Sequence, residues 1–471
     1  MSLISFSGLA SGIDSRALID AILGQERETR ISPLQQQIST LGETSSALSE
    51  LKELLSNLQS ASSSMRPLNG GAIAKSATSS DESVLTAVAS SNAPAGIYGI
   101  DIQTLASNAT FSFDDRAESV DDTINSAIND NAEESERTVS FQIGQGGNTS
   151  TVDIVVDSET TYQDFVDQFN SQADNASASL VNVGTSSNPS YAMVISSSEQ
   201  GESQGSINLV SAGSEIQTAG AGAFNSYQLD QATNLELNID GVGTVVRESN
   251  TVSDLFDGVT FTAENTGSAT ITVGIDSEST KNSVRGLVDA LNEVFAFVTE
   301  NNQVERIEDG DNVTNVFSPL KNTSVDESVV STIRSILSDS SISGSFVNIL
   351  ADLGIETDKD TGGFRLNEAA LDAAIAESPN EVGEILGNVA DGLGAIDGPL
   401  SSFVKFNGLI PSSISSNDEQ IRGLQSRIGN IEQSIARQEE SLVARFAALE
   451  GLIGKMQSSQ QTLSSILGSL G

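Results

Sequence analysis

The chain has 471 residues, enough for about three domains at ~150 residues each. Its 22 basic and 64 acidic residues give a formal net charge of -42, which opposes binding to nucleic acid or to an anionic membrane. It contains no Cys, His or Trp, so thiol nucleophiles, disulfides, Cys/His zinc sites and imidazole bases are excluded. Hydrophobic residues still make up 37%, so we expect a folded chain whose acidity marks a solvated surface.

The first residues, from Met1 to Gly8, carry neither a basic region nor an apolar run. No segment of the sequence reaches the ~20 apolar residues that a transmembrane helix needs. We therefore expect no cleaved secretory signal and no membrane insertion, and export of this chain would need another route.

Heptad patterns predict a coiled-coil helix near each end of the chain. The N-terminal line, at strict seven-residue spacing, is Leu34, Leu41, Leu48 and Leu55. The C-terminal line is Ile421, Ile428, Ile435, Leu442, Leu449, Met456, Leu463 and Leu470. Two interpretations stay open: these helices pack on each other within one subunit, or they form a seam between subunits. Both can hold in different segments, because a companion stripe changes side near Gln438.

Between about residues 80 and 280 the hydrophobic period falls to two, which predicts half-buried β-strands. Asp240-Gly241 follows one such run and predicts a hairpin with a type I′ turn, which needs positive φ at both central residues. This region contains three arginines and thirty acidic residues, so about -27 of the net charge lies here. A strongly acidic β region is typical of an outer face in salty water, where self-repulsion is screened.

Helical spacing returns from residue 281. Asn367 is placed to cap one helix, and Ser378-Pro379-Asn380-Glu381 predicts a capping box at the start of another. The predicted fold is α+β and multidomain, with helical terminal coiled-coil legs, a helical body and inserted antiparallel β modules. The predicted domains are a leg domain at 1–45 and 415–471, a body at 46–79 and 280–414, an inserted β domain at 80–110 and 231–279, and a second at 111–230.

Three local motifs resemble ligand loops but lack required residues. A phosphate-loop-like segment at 69–76 has Asn69 and Ala74 where the two required glycines belong. A glycine-rich turn at 144–149 has Thr149 in place of the third glycine of a dinucleotide-binding motif. A calcium-loop-like segment begins at Asp358, but Ala369 stands where a bidentate Glu is required. No acidic pair stands out for glycoside hydrolysis, and aromatics are only 4%, so we interpret the carboxylates as a solvated face. We predict no enzymatic activity, no cofactor and no metal.

The ends of the chain carry a specific resemblance. The segment Ser7-Gly8-Leu9-Ala10-Ser11-Gly12-Ile13-Asp14 closely resembles the N-terminal signature of the flagellar filament cap family, also called hook-associated protein 2. Similarity continues at residues 79–85, 95–98 and 445–450, and residues 138–212 resemble the IN module of flagellin-related proteins. The resemblance assigns an assembly or export signature to Gly8, Leu9, Ala10, Ser11, Gly12, Ile13 and Asp14.

This resemblance implies a structural cap at the distal tip of the bacterial flagellum, which promotes folding and polymerisation of exported flagellin. The implied partners are further copies of the chain in a ring of four to six subunits, flagellin, hook-filament junction proteins and an export chaperone. The implied location is extracellular, after secretion by the flagellar apparatus. An extracellular adhesin that binds glycan or mucin through the β modules stays open as an alternative.

Overall fold

The computed structural model describes residues 14–218, 226–309, 312–321, 323–359 and 362–468. The predicted signature residues Gly8 to Ile13 lie outside the described residues. The helices are α1 (Ser15–Arg30), α2 (Ser32–Ser63), α3 (Tyr162–Gln172), α4 (Ser214–Thr218), α5 (Ser277–Asn301), α6 (Val325–Asp339), α7 (Glu368–Glu377), α8 (Pro379–Gly394), α9 (Ser401–Val404) and α10 (Leu409–Gly468).

The strands alternate with the short helices in the middle of the chain and recur in two later hairpins. They are β1 (Lys75–Ser79), β2 (Leu85–Ala89), β3 (Gly96–Thr104), β4 (Thr110–Ala117), β5 (Thr138–Ile143), β6 (Ser150–Val155), β7 (Ala176–Asn182), β8 (Tyr191–Ser197), β9 (Ile207–Ala212), β10 (Tyr227–Asp230), β11 (Leu235–Ile239), β12 (Gly243–Arg247), β13 (Thr251–Phe256), β14 (Val259–Ala263), β15 (Gly267–Ile275), β16 (Val304–Asp309), β17 (Asn312–Phe317), β18 (Ile355–Thr357) and β19 (Phe364–Leu366). Helical ends and antiparallel sheets confirm the predicted α+β class.

The chain divides into a helical unit, residues 1–72 and 278–471, and a β unit, residues 73–277. In the helical unit, α2 packs against α8 and α10 through leucines at three- and four-residue spacing. Leu48, Leu51, Leu55 and Leu58 are all fully buried. Burying a leucine side chain contributes about 1.5–3 kcal/mol, so this stripe makes α2 a central element of the helical unit.

The β unit contains two separate hydrophobic cores. One lies between the sheet β1-β15-β3-β11-β12 and the sheet β13-β14-β2, and it draws on residues 84–106 and 235–273. The other lies among the sheets β10-β4-β8-β7 and β6-β5-β9 and helix α3, and it draws on residues 109–232. Its centre is a set of edge-to-face aromatic contacts among Phe111, Phe113, Phe141, Phe165 and Phe169. The second core is therefore an insertion between β3 and β11.

Two local predictions about helix starts have different outcomes. Asn367 does cap α7, because its side-chain oxygen accepts a hydrogen bond from the N–H of Ala370 at 3.3 Å. The predicted capping box at Ser378 is wrong, although α8 begins at Pro379 as expected. The Ser378 side chain accepts no hydrogen bond from a helix N–H, and the Glu381 carboxylate accepts hydrogen bonds from the N–H groups of residues 345–347.

The hairpin predicted at Asp240-Gly241 forms, but its predicted turn type is wrong. Ile239 pairs with Gly243, so the loop has three residues, and the N–H of Val242 donates to the Ile239 carbonyl. Gly241 has φ of 79°, whereas no non-glycine residue among the described ones has positive φ. A type I′ turn would need positive φ at Asp240 as well, which costs free energy for a residue with a Cβ.

Two elements lie where the sequence pattern predicted something else. Helix α3 interrupts the region predicted to be strands, and the hairpin β16-β17 interrupts the region predicted to be helical. Strand β1 already pairs with β15, so the β unit starts before the predicted boundary at residue 80. Helices α2 and α10 run without a break through the predicted boundaries between leg and body. The four-domain division therefore stays a prediction.

Candidate assembly interface

The first candidate surface is built on the pairing of the long terminal helices. The Asn417 side-chain amide of α10 donates a hydrogen bond to the Ser45 hydroxyl of α2 at 3.2 Å. Leu34 and Ile428 contribute to one hydrophobic cluster. Since rising numbers on α2 meet falling numbers on α10, the two helices run antiparallel.

Helix α1 joins this pair at its far end. Ile19 and Leu23 of α1 and Ile31, at the junction of α1 and α2, form a buried cluster with Ile431 and Ile435 of α10. Leu34, Ile428, Leu442 and Phe446 pack against it and are partly buried. The apolar stripes of the two chain ends thus cover each other within one chain, as an isolated amphipathic stripe cannot do alone.

The predicted seam residues fall into four groups, and Leu470 lies outside the described residues. Leu34, Ile428, Ile435 and Leu442 meet in the cluster just described, whereas Leu48 and Leu55 are fully buried between α2 and its neighbours. Leu41 and Ile421 are half-buried. Leu449, Met456 and Leu463 are 48%, 65% and 61% exposed. The structure therefore does not bring the whole seam together.

The exposed group continues as an apolar stripe beyond the end of α1. Leu452 and Leu467 of α10 are also exposed, and with Leu449, Met456 and Leu463 they recur three, four and seven residues apart. A sustained apolar stripe on an exposed helix is surface that another helix can cover. We define these five residues as the α10 stripe.

Helix α1 has a second apolar face that the sequence prediction missed. Leu18 and Ile22 are 44% and 45% exposed, although Ile19 and Leu23 on the same helix are buried. Their four-residue spacing was a signal available in the sequence. A helix with one covered and one open apolar face can pack against an additional chain.

Asp14 is the one predicted signature residue that the structure describes. Its carboxylate caps α1 by accepting hydrogen bonds from the N–H groups of Arg16 and Ala17, at 3.2 Å and 3.0 Å. The negative charge also interacts favourably with the N-terminal end of the helix dipole. Asp14 therefore fixes where the first described helix begins.

Ion pairs hold the helices of the same unit together. The Arg66 guanidinium contacts the Asp391 carboxylate at 2.8 Å, and Lys281 contacts both Glu278 and Asp372 at 2.9 Å and 3.2 Å. Hydrogen bonds to Glu278 and Asp372 raise the pKa of Lys281 above its ordinary value. These contacts link the segment after α2 to α8, and α5 to α7.

Two searches of the described residues bear on other classes of site. No group of three or more His, Cys, Asp or Glu side chains in the described ranges is placed to hold a metal ion. Among the helices in those ranges, none is both long and apolar enough to cross a membrane.

Comparison with known families gives two matches. The model for the flagellar hook-associated protein 2 N-terminus matches residues 11–109, and that for the flagellar hook-associated protein 2 C-terminus matches residues 232–458. The unmatched residues between them coincide with the second core of the β unit, at 109–232.

Individual relatives agree with the family match. The B-type flagellar hook-associated protein 2 of Pseudomonas aeruginosa is 27% identical over 425 residues, which cover 86% of this chain and 85% of that protein. Flagellar hook-associated protein 2 of Escherichia coli K12 is 24% identical over 479 residues, with 98% of each chain covered. The crystal structure of the D1-D2-D3 domains of the flagellar cap protein FliD from Escherichia coli has a similar fold, with a TM-score of 0.58 and 23% identity. The match covers 79% of this chain and 99% of that one.

The fold and these matches place the chain in the class of structural proteins of the bacterial flagellum. Together the two family models match 326 of the 471 residues. The chain belongs to the flagellar hook-associated protein 2 family. The comparisons give no support to the adhesin alternative.

Proposed function

We propose that this protein caps the distal end of the flagellar filament and promotes the folding and polymerisation of exported flagellin there. The observation that carries the proposal is the α10 stripe, which continues beyond the part of α10 whose apolar residues pack against α1 and α2. Such a surface suits a chain that must pack against other helices at the filament tip. The acidic β unit would then face the surrounding water.

The proposal includes a non-enzymatic role and a ring of four to six copies of this chain. Flagellin, hook-filament junction proteins and an export chaperone are the proposed partners, and the proposed location is extracellular, at the flagellar tip. The signature residues from Gly8 to Asp14 would serve assembly or export. Among the seam residues, the buried ones would stabilise the fold and the exposed ones would contact partners.

Deletion of the gene tests the proposal. We expect cells without filaments that release soluble flagellin into the medium, measured by electron microscopy and by immunoblotting of the culture supernatant. Reintroducing the wild-type gene should restore filaments and serves as the control. Filaments of normal length and number in the deletion strain would contradict the proposal.

A further inference from the structure

An exposed phenylalanine stands on a tight turn in the helical unit. Phe406 is 91% exposed and lies between α9 and α10. The N–H of Gly408 donates to the Lys405 carbonyl at 2.7 Å, and a Cβ at Gly408 would lie only 2.7 Å from the carbonyl oxygen of Ser402. The backbone of this turn is therefore closely packed, and the exposed Phe406 ring contributes little to the core.

Next to this ring, α2 and α10 leave an open cleft. It consists of two adjoining cavities of about 550 and 500 Å³ that share Lys52, Pro411 and Ser415. Ile414 adds apolar surface to the first cavity, and short serine side chains line both cavities. Cavities of this size accept a group as large as an aromatic side chain.

The charges beside the ring and along the cleft are complementary. Lys405 precedes Phe406, whereas Glu53, Asp418 and Glu419 lie along the cleft and outnumber its one base, Lys52. A two-fold contact that exchanges the rings would bring Lys405 of each copy toward the acidic residues of the other cleft. Aromatic side chains in fitting pockets contribute strongly to protein interfaces.

We propose that a second copy of this chain docks here, with the Phe406 ring of each copy in the α2/α10 cleft of the other. Phe406 itself lines one end of the cleft in its own chain. Because ring and cleft are neighbours, one two-fold axis lets both copies insert the ring at the same time. This contact goes beyond the proposed cap function, which does not require it.

A photo-crosslinking experiment tests which surface the ring contacts. The full chain carries p-benzoylphenylalanine at position 406, and equal amounts of ¹⁴N- and ¹⁵N-labelled protein are mixed in ~0.5 M NaCl, irradiated and analysed by mass spectrometry. We expect mixed-isotope crosslinks from residue 406 to peptides of residues 46–57 or 411–420. Crosslinks confined to one isotope, or mixed ones to other surfaces, would overturn the proposal.

Two variants and their mixture give an independent test by sedimentation velocity. Phe406→Asp removes the ring, and Ser415→Trp fills the cleft, so each alone should shift the population toward smaller species. Mixing the two should partly restore association, because the intact ring of one fits the intact cleft of the other. Ile396→Asp, at an 83% exposed apolar residue of the same unit, is the matched control and should associate like the wild type.

Unchanged association of Phe406→Asp, with the fold verified by circular dichroism, would also overturn the proposal. The cap function is measured separately, by filament formation in the deletion strain. If the Phe406 contact is disproved but filaments depend on the gene, the cap function still holds. If filaments form normally without the gene but the crosslinks and variants behave as expected, the Phe406 contact still holds.

Discussion

Glu381, in α8, stabilises the distant loop at residues 345–347. Its carboxylate accepts hydrogen bonds from the N–H groups of Ser345, Phe346 and Val347 at 2.7, 3.0 and 3.1 Å. The bonds from Ser345, then Val347, then Phe346 hold the pKa of Glu381 below its ordinary value. The spacing of Ser378 and Glu381 predicts a local cap. Sequence spacing alone cannot reveal the actual partners of Glu381, which lie more than thirty residues away.

The lowered pKa of Glu381 makes the 345–347 loop sensitive to acid. Since the folded pKa lies below the unfolded one, near 4.3, the bonds stabilise the loop above that pH. Their contribution is lost as the pH falls through the lowered folded pKa. Glu381→Gln should speed hydrogen exchange at residues 345–347 at neutral pH and remove the acid dependence, as measured by mass spectrometry. Glu377→Gln, at an exposed glutamate just before α8, is the control and should change neither the exchange rate at residues 345–347 nor its acid dependence. Hydrogen-exchange protection equal to wild type in Glu381→Gln would contradict the prediction.

At the scale of elements, periodicity predicted helices and strands better than it predicted their partners. The seven-residue lines are visible in the sequence, but only the structure separates Leu48, which is buried, from Leu449, which is not. Every member of a heptad line looks alike, and the length of the neighbouring helix decides which members are covered. The sequence pattern does not predict helix α3, although Thr161 and Asp164 form a capping box, because the segments on both sides of it have the two-residue alternation of strands.

A buried member of the N-terminal heptad line and an exposed member of the C-terminal line should respond differently to substitution. Leu48→Ala leaves a cavity in the helical unit and should lower the free energy of unfolding by about 2–5 kcal/mol, measured by urea denaturation. Leu449→Asp changes an exposed position and should cost within ~0.5 kcal/mol, yet impair filament growth by placing a charge on the α10 stripe. Ala447→Asp adds the same charge on the opposite side of the same turn and should keep wild-type filaments. Normal filaments from Leu449→Asp would show that the stripe carries no required contact.

At the scale of the whole molecule, charge sets the conditions for assembly. The β unit contains Arg116, Arg137, Arg247 and Lys75 against 29 acidic residues, a net charge of -25. Copies of the chain brought together therefore repel one another, whereas the exposed apolar residues of α1 and α10 attract. The ratio of these two forces depends on the salt concentration.

Self-association should therefore strengthen as NaCl rises from low to marine concentrations. At ~0.01 M ionic strength the Debye length is ~30 Å, so repulsion acts across neighbouring subunits. At ~0.5 M it falls to a few ångströms, and burial of apolar helix surface dominates because screening hardly affects it. Sedimentation velocity at one protein concentration across this series should show larger species at high salt, and Leu449→Asp should reduce that increase. Assemblies that are largest at low salt and dissociate as NaCl rises would mean that surface ion pairs, and not apolar contacts, hold the copies together.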